Sequence, residues 1–459
     1  MNKLQLFFLI GFFSVAAHAQ MGLPAGQAQS FVPSTSNTAV YHPSSFWNTP
    51  TPVGAAIDSN SASMVATALT PYASGAVLSN NAYGVGVIQA SALNTVYTVT
   101  SLSGYVGPGQ PTSVSFPVPS VVVPSTGSDG HLVVLGPPGT AYASEELDMW
   151  EACPPNTTYP GAGYSFPCPG TNNWTAGSVF ISKLNGWGAN AAPGTKAFGM
   201  YAAGYSGMGG MITPADIASG VIRHALSLAT PKTLTHSLPP YYGPATEQDG
   251  SSGTYNIPEG AHIRLAPSFN IATAAAANSW SALETMIATA LQTYGAYVSD
   301  ASGSLFLYGV TDANAGNTTW SSVGVGYDPS IAMPTGGGTY AWSNMQVVAL
   351  ATSVTTSSVA LSPTGSLSSG TLVTLTFTMS AAVNVAGTPT LLMSTGETAS
   401  YSSGSGSSTL IFKYTTATAE STTGLQIIAL NVPGGATITD ASGNAADLLV
   451  AIGPVPGSP

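Results

Sequence analysis

Short apolar runs separated by Gly and Pro constrain the fold of this chain more than any other feature. The runs at residues 85–88, 132–135 and 177–181 are too short for typical helices, and turn-forming residues bound each of them. With 52 Gly and 34 Pro in the chain, such turns recur along its whole length. Only residues 279–294 combine helical apolar spacing with a terminal glycine, Gly295. The sequence therefore predicts a mainly β main domain, like a β-sandwich or jelly roll, with a few short helices.

The first forty residues differ from the rest. Residues 1–19 combine Lys3, an apolar run and an Ala-His-Ala cleavage pattern, which predicts a signal peptide. Residues 20–40 are rich in Gln, Ser, Thr, Pro and Gly and are predicted to be a flexible segment. The expected location is therefore secreted and extracellular, or at the cell surface.

A second change of composition divides the remainder. Residues 41–350 hold all seven Trp and both Cys, and are predicted to form the main, catalytic domain. Residues 353–459 contain no Trp, Cys or His, and apolar and polar residues alternate at 371–377 and 410–414. That alternation is typical of strands, so a C-terminal immunoglobulin-like β-sandwich is predicted.

The charge balance excludes several partners. The net charge is −11, and the chain has only seven Lys and Arg. Nucleic-acid binding needs basic side chains that neutralise phosphates, so no nucleic-acid partner is expected. No run beyond the leader reaches the ~20 apolar residues that a spanning helix needs, so membrane insertion is not expected either.

Charge is concentrated in one place. Four of the chain's 18 acidic residues fall within residues 144–151. On a strand, Glu146, Asp148 and Trp150 share a face, and Glu151 joins them only through a one-residue bulge. Two or three carboxyls beside a tryptophan fit a glycosidase site, where one carboxyl donates a proton and another acts as nucleophile or base. The alternative is an acidic strand edge that keeps the sheet soluble.

The two cysteines, Cys153 and Cys168, follow this acidic segment. In an oxidising compartment a disulfide is the expected state. The loop between them has ~15 residues, and closing it stabilises the fold by about 3 kcal/mol in the chain-entropy view.

Further candidates are scattered along the chain. His224 is a candidate catalytic group, and a histidine satisfied within the core is its alternative. Asp249 lies in a loop with tyrosines and acids that suits a sugar, or equally a solvated turn. The predicted substrate-binding residues are Trp47, His131, Trp150, Trp187, Asp249 and Arg264.

The segment from Glu146 to Glu151 resembles the E-x-D-x-x-E strand of laminarinases and carrageenases, a family of retaining glycoside hydrolases. The resemblance implies that Glu146 is the nucleophile, that Asp148 assists it, and that Glu151 is the acid/base.

Residues 41–310 also resemble a family of secreted proteins of soil bacteria and fungi, for example at residues 45–49, 129–134, 220–226 and 260–265. Asp148 and Glu151 match in this second resemblance and Glu146 does not. The further polar positions that it adds are His131, His224, Arg264 and Asp300.

Residues 353–459 resemble an immunoglobulin-like repeat of bacterial surface and secreted proteins, at 387–391, 399–406 and 438–445. This resemblance implies a spacer or a unit of cell-surface attachment, and no catalysis.

Together these patterns predict a secreted carbohydrate-active enzyme, a glycoside hydrolase that cleaves an extracellular polysaccharide with a carboxylate pair and without a cofactor. One alternative is a polysaccharide lyase with a Tyr or His base, in which Arg223 or Arg264 would neutralise a uronate. Another places His131, His224 and nearby carboxylates around a metal ion. The non-enzymatic alternative is a carbohydrate-binding, adhesive surface protein on an immunoglobulin-like stalk.

Overall fold

The computed structural model describes residues 40–41, 45–103, 112–158, 164–184, 188–189, 199–234, 244–245, 247–314, 318–349, 354, 356–393, 395–422, 425, 427–431, 436–439 and 446. The fold is mainly β, with 37% strand and 15% helix, and the helices are short. The predicted fold class is therefore confirmed. Among the described residues, no helix has the length and apolar character needed to cross a bilayer.

The described part of the main domain contains four α-helices and fifteen strands. The helices are α1 (Ser61–Ala68), α2 (Pro214–Ser219), α3 (Ile271–Asn278) and α4 (Ala282–Thr293). The strands are β1 (Val77–Ser79), β2 (Gly86–Gln89), β3 (Val96–Ser101), β4 (Ser113–Pro117), β5 (Leu132–Leu135), β6 (Glu145–Trp150), β7 (Thr175–Ala176), β8 (Ser178–Lys183), β9 (Leu226–Thr230), β10 (His262–Leu265), β11 (Ala296–Ala301), β12 (Phe306–Tyr308), β13 (Pro334–Gly336), β14 (Thr339–Tyr340) and β15 (Met345–Val347).

Three sheets build this domain. A six-stranded mixed sheet has the order β1-β12-β9-β11-β10-β15, a four-stranded sheet the order β2-β5-β6-β8, and a three-stranded sheet the order β4-β3-β7. Strands β13 and β14 form a separate pair. Val133 and Leu135 of the four-stranded sheet share a core with Leu228 and Val298 of the six-stranded sheet. Its other face packs against the three-stranded sheet, so it is the middle layer.

The acidic segment forms strand β6 inside this middle layer. Its neighbours are β5 and β8, both antiparallel. The turn residues between 132–135 and the acidic segment predict that the two strands pair as a hairpin, and the pairing of β5 with β6 confirms this. Leu147 and Met149 point to the core of the three-stranded sheet. Glu146 and Asp148 lie opposite Leu135 and Val133, and therefore on the face toward the six-stranded sheet.

The predicted helix at 279–294 is observed as α4, shorter at its N-terminus. Ser281 caps it: its hydroxyl accepts from the Glu284 N–H, and the Glu284 carboxylate accepts from the Ser281 N–H in return. Leu283, Ile287 and Leu291 form its buried face in the main core. Gly295 follows with a φ of +77°, a left-handed conformation that ends the helix at little cost.

The C-terminal region folds as a β-sandwich with its own hydrophobic core, built on residues such as Phe377 and Phe412. Both strands predicted there are observed, and they pair with each other in antiparallel fashion. The strands are β16 (Thr356–Ser362), β17 (Ser366–Leu367), β18 (Leu372–Ala386), β19 (Thr390–Met393), β20 (Thr398–Ser403), β21 (Ser407–Thr415), β22 (Glu420–Ser421), β23 (Ile427–Asn431) and β24 (Thr437–Thr439).

Candidate functional site

A cavity of about 610 Å³ lies between the six-stranded and four-stranded sheets, with residues of both in its walls. Its volume is in the range of sites for small ligands. Apart from Met200, the lining residues are acidic, aromatic or small: Tyr83, Asp129, Trp150, Ser178, Gly199, Tyr201, Ala202, Asp249, Asp300, Ala301, Ser302, Gly303, Ser304, Phe306 and Tyr308. The cavity thus brings together three aspartates that are far apart in sequence.

Asp300 owes its position to an irregularity in the six-stranded sheet. Strands β9 and β11 run parallel, and their register shifts between Val298 and Asp300, which leaves Ser299 as an extra residue. Such bulges redirect the side chains that follow them and are frequent beside active sites. Asp300 comes directly after this bulge, half-buried in the cavity wall, and the Tyr308 hydroxyl donates a hydrogen bond of 3.1 Å to its Oδ2.

Burial raises the pKa of Asp300 well above that of an ordinary aspartate, and the nearby carboxylates of Asp249 and Asp129 raise it further. The hydrogen bond from Tyr308 acts in the opposite direction and is outweighed. Asp300 is therefore a carboxyl that holds its proton in a cavity where other carboxyls are close. An acid poised in this way can donate a proton to a bound molecule.

Asp129 is held by the backbone around it. Its carbonyl accepts from the Glu151 N–H at 2.7 Å, and the next carbonyl, that of Gly130, accepts from the Ala152 N–H at 3.0 Å. Gly130 has a φ of +45°, which allows the chain to turn there before entering β5. Asp129 is thus a half-buried carboxyl on a fixed turn, and it shares the cavity wall with Trp150 and Ser178.

Aromatic rings form much of the remaining wall. Tyr201 and Tyr308 pack with ring centroids 4.7 Å apart, and both are almost fully buried. His131 lies behind them, with ring centroids 5.6 Å from Tyr201 and 6.2 Å from Tyr308. Burial lowers its pKa, so His131 is neutral and supports the two tyrosines.

The carboxyls of the acidic strand lie outside the cavity lining. Glu146 and Asp148 have no exposed surface. Glu146 Oε1 accepts from the Tyr41 hydroxyl at 2.7 Å, and Asp148 Oδ2 accepts from the Gly207 N–H at 3.0 Å and the Ser182 hydroxyl at 3.2 Å. Burial raises the pKa of Asp148 to about 7, and burial together with Asp148 raises that of Glu146. They share the face predicted for them and are sealed from solvent.

Glu151 does not join that face, because β6 has no bulge that would bring it there. Its φ is +51°, which turns the side chain away at the end of β6. The carboxylate accepts from the N–H groups of Ser165 at 2.6 Å and Phe166 at 2.9 Å. The disulfide between Cys153 and Cys168 is formed, as predicted. Glu151 therefore fastens the disulfide loop to the strand, while its own N–H holds Asp129.

His224 and Arg264 make contacts away from the cavity. His224 Nε2 lies 3.7 Å from Asp216, and its Nδ1 lies 2.8 Å from the Ala225 carbonyl. Burial opposes a charge on His224, but Asp216 raises its pKa on balance. The Arg264 guanidinium donates to Gln346 and to the carbonyls of Pro52 and Val53. In these positions both residues join separate parts of the fold.

Of the predicted sugar-binding residues, some line the cavity and others lie elsewhere. Asp249 and Trp150 line the cavity, Asp249 exposed and Trp150 half-buried. Trp47 is 1% exposed, donates to the Gly188 carbonyl at 3.0 Å and packs against Phe46, so it belongs to the core. Trp187 lies outside the described residues.

Metal ligation finds no support in the part of the chain that the structure describes, where no group of three His, Cys, Asp or Glu side chains is arranged to hold an ion. His131 and His224 have different surroundings: His131 packs on Tyr201 and His224 faces Asp216. No protein family, curated protein or solved structure matches the chain. The resemblances drawn from the sequence therefore remain predictions.

Sequence reasoning missed Asp129 as a site residue, and named Asp300 only as a polar position. A usable signal did exist, because acidic residues are rare in this chain, with 18 in total. Asp129 precedes a turn glycine just before a buried strand, and Asp300 lies near the end of another strand. Tyr201 and Tyr308 carried no comparable signal, because a tyrosine beside apolar residues is also typical of a core.

Proposed function

We propose that the protein is a secreted glycoside hydrolase in which Asp300 is the proton donor and Asp129 the second carboxylate. The observation that carries the proposal is an aromatic-lined cavity in which the half-buried Asp300 stands beside other carboxyls, and burial together with those carboxyls raises its pKa. Glycoside hydrolases need one protonated and one ionised carboxyl on either side of the scissile bond. Asp249 keeps the substrate-binding role predicted for it, since it is the most exposed of the three aspartates.

In the proposed reaction, the Asp300 carboxyl gives its proton to the glycosidic oxygen while the bond to the anomeric carbon breaks. The Asp129 carboxylate faces the positive charge that develops on the sugar. It either attacks the anomeric carbon to form a glycosyl-enzyme that water then hydrolyses, or takes a proton from a water that attacks directly. Glycosidases of these two kinds hold their carboxyls about 5–5.5 Å and about 6.5–9.5 Å apart, respectively. Trp150 offers its ring for stacking against a sugar face.

Two alternatives receive less support from the cavity. A polysaccharide lyase needs a basic side chain against the uronate carboxylate, and none of the described lining residues is Lys or Arg. A purely adhesive protein has no use for a carboxyl with a strongly raised pKa in its binding site. The leader-like residues 1–19 and the disulfide favour secretion, and the C-terminal β-sandwich is proposed as the unit of cell-surface attachment.

The test is a polysaccharide assay of the purified protein that follows reducing ends and the absorbance of unsaturated uronates together. We expect reducing ends without uronate absorbance. Asp129→Asn and Asp300→Asn should each lower the rate by about a hundredfold or more, as loss of an acid/base carboxyl does. Asp58→Asn, an aspartate outside the cavity lining, is the matched control. Full rates in both cavity variants, or binding without any hydrolysis, would contradict the proposal.

A further inference from the structure

The cavity has a charge that restricts its substrate. Its described wall carries three carboxyls, Asp129, Asp249 and Asp300, and no basic side chain. Two of the few cations of the chain are engaged elsewhere: Lys183 pairs with Glu145, and Arg264 binds backbone carbonyls. A substrate that enters this cavity meets negative charge that protein cations do not balance.

A fourth carboxyl stands behind this wall. Glu259 has no exposed surface and makes no short hydrogen bond with the described residues, and Asp249 faces its carboxyl with both side chain and backbone. Burial raises its pKa well above the ordinary value, and the neighbouring carboxylates of Asp249 and Asp300 raise it further. An unpaired polar group in such a position is costly unless something pairs with it. Nothing within the described part of the protein supplies a positive charge there.

Aromatic rings at the cavity suit a cation as well as a sugar. Tyr83 is 46% exposed at the rim, and Trp150 and Phe306 are half-buried in the wall. A cation that rests on such a ring is attracted by the electrons of its face. Carboxyls and aromatic faces together form the usual surroundings of a bound ammonium group.

We infer that the substrate is an amine-bearing glycan, a polymer of de-N-acetylated amino sugars, whose ammonium group is bound by Asp249 with Glu259 behind it. This inference rests on the proposed function and assigns its substrate class. Asp300 and Asp129 act on the glycosidic bond, while Asp249, with Glu259 as its buried neighbour, recognises the substituent. The ammonium group supplies the positive charge that Asp249 lacks among the described lining residues.

The experiment compares three polymers with the same β-1,4 linkage: poly-glucosamine, its N-acetylated form and an unsubstituted glucan. Assays are run at a pH that keeps the amine protonated. We expect kcat/KM to be at least about tenfold higher for the amine polymer, a difference that corresponds to one favourable charge interaction. Added salt should reduce this preference, because salt screens such interactions.

Asp249→Asn separates recognition from catalysis. The side chain is exposed, so the variant should fold like the parent, which a thermal melt checks. We expect KM for the amine polymer to rise about tenfold, with a clearly smaller rise for the unsubstituted glucan and a smaller change in kcat than in KM. Asp58→Asn is again the control.

The outcomes separate the two proposals. Equal cleavage of charged and uncharged polymers would overturn the amine preference and leave the hydrolase proposal intact. Binding of the amine polymer by the native protein without cleavage of any polysaccharide would overturn the hydrolase proposal. An Asp249→Asn variant with an unaltered preference would overturn the role of Asp249.

Discussion

The acidic strand and the cavity use the same chemical group for opposite purposes. On the strand, Glu146 and Asp148 have no exposed surface and Glu151 has 1%, and each accepts at least one hydrogen bond from the protein. In the cavity, Asp129 and Asp300 are half-buried and Asp249 is exposed. The strand carboxyls are neighbours in sequence, whereas those of the cavity come from three segments far apart in the sequence. Crowding of charge along a chain therefore does not by itself locate a site, since access decides what a carboxyl can do.

The contrast between strand and cavity is tested most directly by neutralising one carboxyl in each region. Asp300→Asn should lower hydrolysis about a thousandfold, because it removes the donated proton. Asp148→Asn should lower it less than about tenfold, because Asn retains an oxygen for the Gly207 N–H and the Ser182 hydroxyl. Initial rates on one polysaccharide, with melting curves to confirm folding, provide the measurement. If the two effects were reversed, the catalytic site would lie on the strand, as the laminarinase resemblance implies.

Part of this arrangement was open to prediction because it depends on local rules. Period-two alternation placed Glu146 and Asp148 on one face, and two cysteines in an oxidising compartment implied their bond. By contrast, the sequence pattern predicts that residues 297–298 and 305–308 pair as a hairpin about a turn at 300–303, and this prediction is wrong. Strand β9, from much earlier in the chain, lies between β11 and β12.

The cavity depends on that long-range insertion. Only the pairing of β11 with β9 creates the bulge before Asp300, and no pattern within residues 296–301 indicates it. The same limit applies to Trp47. A tryptophan in a segment bounded by Pro43 and Pro50 is compatible with a sugar platform or a core anchor, and its contact with Gly188 is fixed only by the fold. Pairing partners distant in sequence thus decide which acids and aromatics remain accessible.

A second comparison concerns stability and pH. The pKa of Asp148 is about 7 in the folded protein, against about 3.9 in an unfolded chain. The folded state holds this proton more tightly, so stability falls as the pH rises through that interval and changes little above it. Through this group alone, the free energy of unfolding is about 4 kcal/mol lower at pH 8 than at pH 4. Asp148→Asn should therefore flatten the dependence of the free energy of unfolding on pH.

Urea unfolding followed by tryptophan fluorescence at a series of pH values measures this dependence. All seven Trp precede residue 353, so the signal reports on the main domain and not on the C-terminal sandwich. Other buried carboxyls with raised pKa values, such as Glu146, contribute in the same direction and remain in the variant. The informative quantity is thus the difference between variant and parent. If the free energy of unfolding depended on pH in the same way in the variant and the parent, Asp148 would not be protonated in the folded protein.

The smallest effect concerns Glu151, which directly follows β6 and contacts both the disulfide loop and the Asp129 turn. Its carboxylate accepts from two backbone N–H groups, and the amide of Gln can accept only one of them. Glu151→Gln should therefore lower the free energy of unfolding by about 1–3 kcal/mol, the cost of one N–H left without a partner. Glu145→Gln on the same strand breaks only the surface pair with Lys183, and should cost less than about 1 kcal/mol.

Glu151→Gln also tests how the strand serves the cavity. The Glu151 N–H holds the Asp129 carbonyl, so loosening of this segment should lower hydrolysis modestly, by about threefold to tenfold, in kcat more than in KM. The Glu151→Asp variant keeps a carboxylate, but it should still be less stable than the parent, because the shorter side chain does not reach both N–H donors. If hydrolysis were unchanged while stability fell, the Glu151 carboxylate would hold only the disulfide loop, and the Gly130 turn would position Asp129.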